Sequence, residues 1–276
     1  MTERRAGLKD RFWSLFFPKE PKKASGLGIM FHLHTDESFQ INQRLLSKVL
    51  SKERKKLLDD ALQETSVSSS ISNLNRRLGH DEIDRVIFGR LGRFVDNYVR
   101  AEAFRQGGHQ PSVVGSGDSG ILCAVHEAGV MSLGATMRVV VEGSRALAIA
   151  RGTCSGAMFS DPEFPLHTSL MRPYLAEFND TLDGIVFNDP QIPVVGGGKI
   201  MTKAAEIRQA IIRHTTEQSS EDAVRVAMRR LGVSQIQEIG LDEVDNTKKY
   251  LTIGAIIGGV VLAVVVHNKR QKTKKA

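Results

Sequence analysis

Cysteine is scarce. Cys123 and Cys154 are the two in 276 residues, with no CxxC pair and no Cys/His cluster. That argues against a disulfide framework and a zinc site, and fits a reducing compartment. No arginine-rich stripe is interleaved with aromatic residues, so a nucleic-acid groove is set aside and no nucleic-acid partner is expected. A secretory signal is not expected, because the apolar run near the N-terminus is too short, and Glu3 and Asp10 weaken a mitochondrial presequence reading. The glycine triplet Gly196-Gly197-Gly198 is not followed by the Lys-Ser/Thr of a phosphate-binding loop, and reads as a turn. No cofactor and no metal are expected.

The charge that is present sits mostly at the ends. The formal net charge is +7, and end-loaded basic charge points to anionic lipid more than to a groove. Residues 1–25 are basic and contain LKDRFWSLFF, where Leu8, Phe12, Leu15 and Phe16 share one helical face beside Trp13. A segment of this kind lies in a membrane interface or remains a disordered tail. At the other end, Leu251–Val266 carries no charge and, with Tyr250, is just long enough to span a thin bilayer as a helix. Gly254 and Gly258 form a GxxxG, a candidate contact for self-association in a membrane. Lys248 and Lys249 precede the run, and Lys269, Arg270, Lys272, Lys274 and Lys275 follow it in the basic tail 267–276. The charge bias alone favours a cytosolic tail. That orientation requires translocating a large domain without a signal, so a C-terminal anchor with the domain in the cytosol is expected.

Between the ends, a chain that is 41% apolar has material for one medium domain, taken as 26–245. Gly26–Phe31 reads as a short buried strand. Residues 41–62 read as one amphipathic helix, 66–73 as a loop, and 81–106 as a helix with the stripe Ile83, Val86, Ile87, Leu91, Phe94, Val95, Tyr98. His32 and His34 are spaced to share a strand face, but no Cys cluster is near them in the sequence, and a metal role is not expected. Residues 111–120, PSVVGSGDSG, followed by a helix from Ile121, make a strand, a Gly/Ser elbow and a helix. That order exposes a nucleophilic serine where such chemistry exists, and otherwise is only a glycine-rich turn. Downstream, Leu170, Tyr174, Phe178 and Leu182 fall at four-residue steps on one buried helical face. Asp189-Pro190 breaks the chain before a strand with Ile192, Val194 and Val195. A helix over 202–216 behind a Thr202 cap, a second over 222–231 stopped by Gly232, and a strand over 236–240 complete the domain.

The run from His167, HTSLMRPYLAEF…FNDPQIPVV, resembles the C-terminal half of the malonyl-CoA:acyl carrier protein transacylases, as does HEAGVMSLGATMRVV after the elbow. The resemblance spans roughly 26–244. It implies an α/β fold with a mainly parallel sheet, a serine at the elbow as nucleophile and His167 as its base. It further implies acyl-CoA or an acyl carrier protein as partner. Several family motifs are absent. The GQGxQ loop that helps form the oxyanion hole is replaced by His32-Leu33-His34. Without gaps, the serine of GHSxGE falls on Asp118; with one insertion Ser119 or Ser116 takes its place, and Ser119 better keeps the Gly–x–Ser order. The arginine that pairs with the malonyl carboxylate falls on Gly143, with Arg145 two residues on. Too few residues lie before His167 for the small ferredoxin-like subdomain that lids the family's cleft, and glycines replace the Ser-Asn that follows "IPV" and orients the histidine.

Two readings follow. The first is a membrane-anchored acyltransferase-like protein of fatty-acid or polyketide type whose transacylase activity is lost or altered, serving as a carrier-protein or complex scaffold. The alternative is an active serine acyltransferase or thioester hydrolase working on acyl-CoA or acyl carrier protein through Ser119 and His167. A weaker third is a membrane-shaping protein.

Overall fold

The computed structural model describes residues 26–32, 41–67, 69–74, 81–117, 120–153 and 164–240. The basic segment 1–25, His34, Asp118, Ser119, Cys154 and the apolar run with Gly254 and Gly258 lie outside the described residues. Among the described residues no helix is long and apolar enough to cross a membrane.

Five strands form one sheet. They are β1 (Leu27–Phe31), β2 (Val113–Ser116), β3 (Val194–Gly196), β4 (Lys199–Met201) and β5 (Gln235–Ile239), in the order β4-β3-β2-β1-β5. β5, β1, β2 and β3 run parallel, and β4 folds back antiparallel at one edge. A mainly parallel sheet was expected, and the chain makes a mixed one with a single reversed edge. β1 and β2 lack the apolar–polar alternation of a one-sided sheet because both faces are covered. With side chains alternating along each strand, Ile29, Phe31, Val114 and Val194 join the larger core, while Met30, Val113 and Val195 face the other way.

The helices, in chain order, are α1 (Gln43–Val49), α2 (Lys52–Gln63), α3 (Ile71–Leu74), α4 (Glu82–Gln106), α5 (Ile121–Glu127), α6 (Leu133–Thr153), α7 (Ala176–Asp183), α8 (Ala204–Thr216) and α9 (Glu221–Arg230). Among the described residues the helix that covers the second face is α9, through Val224, Ala227 and Met228 at i, i+3, i+4 spacing. The larger core is built on α4 and α6. α4 has 25 residues and is therefore about 37 Å long. It begins where the Asp81 side chain accepts from Asp84 N at 2.7 Å and stops at Gly107-Gly108, the latter at φ 81°. Asn97, fully buried on it, donates from Nδ2 to His32 O at 2.7 Å and so fixes the end of β1 to the helix.

Local sequence corrects two expectations. The helix expected over 41–62 is two helices, because Ser51 accepts from Arg54 N and caps a fresh start at Lys52. The four-step face from Leu170 to Leu182 is also interrupted. Ser169–Tyr174, with Pro173 inside it, is a 3-10 turn, and only after Leu175 does α7 begin. Leu170 is 48% exposed, while Phe178 and Leu182 are buried. The Asp189-Pro190 break has a definite task. Asp189 accepts from Ala204 N at 2.9 Å and from Lys203 Nζ at 3.1 Å at the start of α8. Glu206 accepts from the backbone N–H of Thr202 and Lys203, so Lys203, not Thr202, is the cap residue.

Candidate functional site

Strands β1, β2 and β3 all point their carboxyl ends at the same edge, the place where open α/β sheets take ligands. β2 runs out at Ser116-Gly117, and Gly117 N donates to Phe31 O at 2.8 Å. On return from residues 118–119, the chain passes so close to β1 that a Cβ on Gly120 would stand 2.1 Å from Phe31 O. A Cβ on Gly117 would stand 2.6 Å from His32 Nδ1. Both glycines are therefore fixed by close approach of backbone and imidazole. α5 follows directly. The strand, glycine turn and helix expected over 111–128 are all present, with residues 118–119 between them undescribed.

Ser116 is not at an exposed tip. It is 1% exposed, pairs with Gly196 in the β-ladder, and its Oγ donates to Gly117 O at 2.5 Å. Of the two serines the sequence offered, Ser116 is thus a buried strand residue, and Ser119 lies outside the described residues.

His167 sits on the turn between the cis peptide Phe164–Pro165 and the 3-10 turn, in the left-handed region at φ 62°. A non-glycine residue there costs of order 1–3 kcal/mol and persists only where its surroundings over-determine it. Here they do: the backbone N donates to Thr215 O at 2.9 Å and Nδ1 lies 2.5 Å from His214 O. A carbonyl only accepts, so Nδ1 carries a proton, and in the neutral ring the lone pair is on Nε2. That is the tautomer a general base requires. The His214 ring stands edge-on to it, with centroids 4.7 Å apart. The sequence comparison had left the histidine without an orienting group, because glycines follow "IPVV". The structure supplies orientation from a main-chain carbonyl on the last turn of α8, which no side-chain motif records.

The last two glycines of the triplet, Gly197 and Gly198, are the two-residue turn of the β3–β4 hairpin. Gly196 pairs with Lys199, and Gly197 and Gly198 lie at φ 56° and 75°, the left-handed pair that such hairpins need. A Cβ on Gly143 would stand 3.1 Å from Phe178 Cε2, so the Phe178 ring closes the space beside it. Arg145 is engaged elsewhere, with Glu142 at 3.1 Å and Ser66 Oγ at 2.8 Å.

His32 acquires neighbours the sequence did not reveal. It is 1% exposed, with Nδ1 2.9 Å from Glu221 of α9 and Nε2 3.9 Å from Glu238 of β5. Arg225 joins both carboxylates, at 3.1 Å and 2.8 Å, and the Glu238 hydrogen bond is the chief cause that holds its pKa above the usual guanidinium value. The carboxylates lie 189 and 206 residues along the chain from His32, so local spacing could not show them. The buried Cys123 thiol, behind the elbow on α5, is pushed up to about 12 by desolvation and is no nucleophile.

Two cavities adjoin this edge. A cavity of about 30 Å³, lined by Arg90, Leu122, Gly143, Leu166, Phe178 and His214, lies inside the helical layer. A wider cleft of about 180 Å³ opens between the β3–β4 hairpin and the α8–α9 connection. His214 and Ile121 border both.

No family model matches the chain, and no curated protein matches it. Solved structures do. The malonyl-CoA:ACP transacylase of Synechocystis sp. PCC 6803 superposes with a TM-score of 0.61 at 15% identity, covering 77% of this chain and 88% of that one. MCAT from Streptococcus pneumoniae gives 0.58 at 14% identity, over 83% and 92%. A malonyl-transacylase in complex with its type II polyketide-synthase acyl-carrier protein gives 0.57 at 17% identity, over 77% and 88%. With its mixed sheet, its strand–turn–helix at the carboxyl edge and its flanking helices, the chain has the fold of the malonyl-CoA:acyl carrier protein transacylases.

Proposed function

We propose that this is an acyltransferase-like protein that docks acyl thioesters or their carrier protein, with malonyl transfer lost or altered. One observation carries the reading. At the place of the family's carboxylate-pairing arginine, Gly143 packs against Phe178, and Arg145 is committed to Glu142 and Ser66. A guanidinium–carboxylate fork depends on position and is not restored by a nearby arginine with other partners. The absence of GQGxQ adds to this, since one lost oxyanion donor removes about 3–4 kcal/mol of transition-state stabilisation. An acyl-carrier protein is the partner in one similar structure, which makes a carrier the first candidate here.

The rival reading, an active serine acyltransferase or thioesterase through Ser119 and His167, has its own observation: the His214 carbonyl fixes His167 in the basic tautomer. A transfer assay separates the two. Full-length protein, malonyl-CoA and a phosphopantetheinylated carrier protein are expected to give carrier binding by calorimetry without malonyl transfer. Transfer that disappears in Ser119→Ala and His167→Asn would establish the rival.

Anchoring by 250–266, with the domain on the cytosolic side, belongs to the same proposal and rests on that run's composition. Full-length protein should resist alkaline extraction from membranes and a chain ending at residue 245 should not. Loss of self-association in Gly254→Leu/Gly258→Leu is the readout for the GxxxG contact.

A further inference from the structure

The buried residues of α9 begin only at Val224, so apolar packing does not fasten its first turn. Charge does. Alternation along β1 turns His32 to the same face as Met30, whose ladder partner on β5 is Glu238. The His32 ring therefore lies between two carboxylates. Glu221, in the first turn of α9, stands 2.9 Å from Nδ1, and Glu238 stands 3.9 Å from Nε2. Arg225, one turn further along α9, reaches both carboxylates. The neighbouring elements bring neutral groups: Asn97 of α4 and Ile239 of β5 hold the His32 backbone, and Gly117 of the elbow lies against the ring.

Each ring nitrogen faces an oxygen that only accepts. A neutral imidazole has one N–H, and would turn a lone pair toward one of the two carboxylates; an imidazolium has a proton for each. The charges agree with this. Two carboxylates, one guanidinium and one imidazolium cancel, whereas a neutral ring leaves a negative charge over beside a side chain that is 1% exposed.

We infer that His32 is a proton-operated clasp: as imidazolium it draws the first turn of α9 and the end of β5 together beneath the elbow, and on losing its proton it releases them. The elbow registers the change directly, because a Cβ on Gly117 would stand 2.6 Å from His32 Nδ1. A shift of the ring moves the backbone that leads to residues 118–119. The device belongs to the fold and does not depend on whether Ser119 is a nucleophile. Stability from a ring held protonated is complete below the ordinary histidine value of about 6.5, and is lost as the pH rises through the folded value.

The test is an NMR titration of the full-length protein, 13C-labelled at histidine, from pH 5 to 9, repeated with Glu221→Gln and Glu238→Gln. His32→Asn identifies the His32 signal among the eight histidines; if that variant does not fold, the signal is the one that both glutamine variants displace. The imidazolium is expected to persist past pH 7.5, with each glutamine variant moving its midpoint down by about one unit or more. Exchange of the Gly117 amide, which donates to Phe31 O at 2.8 Å, should lose about tenfold or more of its protection as that signal titrates. A ring that is neutral at pH 7, or a midpoint that neither variant moves, overturns the inference. Gly117 protection that stays flat across the His32 midpoint refutes the coupling of clasp to elbow.

Discussion

His126 gives the fold a measurable pH dependence. The ring is wedged on α5 between Phe94 and Tyr98, with centroids 6.2 Å and 5.7 Å away, and Nδ1 lies 3.3 Å from Met131 O. Desolvation, aided by the charges of Arg105 and Arg54 and opposed by the Met131 hydrogen bond, lowers its pKa from 6.5 to about 4. The native protein thus keeps the imidazole neutral while the unfolded chain takes up a proton below about 6.5. A depressed folded value means that this stability is complete above 6.5 and is lost as the pH falls toward 4. From the two values, the loss is of order 1 kcal/mol by pH 5.5 and of order 2–3 kcal/mol by pH 4.5. Urea unfolding of the wild type and His126→Phe across pH 7.5 to 4.5 isolates the effect, since other titrating groups are common to both. The wild type should lose its advantage over the variant by those amounts, beginning near 6.5. A stability difference that stays flat across the range would refute the assignment of a buried, neutral His126.

Three further outcomes follow from the site. Gly120→Ala forces a Cβ onto Phe31 O, a backbone atom that cannot swing away, and should cost about 1–3 kcal/mol or more in thermal or urea unfolding. His167→Asn should be more stable than His167→Ala by roughly 1 kcal/mol, because asparagine tolerates the left-handed backbone at this position and alanine does not; equal stability would contradict the observed φ. With Cys154→Ser in place, Cys123 should resist maleimide at pH 8 in the native protein and react only on unfolding, since its buried thiol titrates near 12. Rapid native labelling would contradict that burial.

How much was legible in the chain depends on whether the cause was local. β1, the elbow strand, the helix expected over 81–106 and the turn of the glycine triplet all rest on residues adjacent in sequence, and all appear as expected. The Asp189-Pro190 break was legible for the same reason, and Asp189 has a structural task at the start of α8. The single helix expected over 41–62 failed on a cap, because Ser51 on an amphipathic pattern does not reveal whether it ends one turn or begins another. Leu170 failed because the apolar period ran straight through Pro173, where a 3-10 turn rotates the face into solvent. At the site, the missing information was tertiary. The group that orients His167 is a main-chain carbonyl, which has no letter in a sequence, and the carboxylates beside His32 arrive from α9 and β5.

We propose a transacylase frame that persists with malonyl transfer lost or altered. Intact-protein mass spectrometry after incubation with malonyl-CoA tests it most directly. The prediction is an unmodified chain in the wild type, as in Ser119→Ala and His167→Asn. A malonyl adduct on the wild type that vanishes in both variants would contradict the claim and make Ser119 and His167 a working pair.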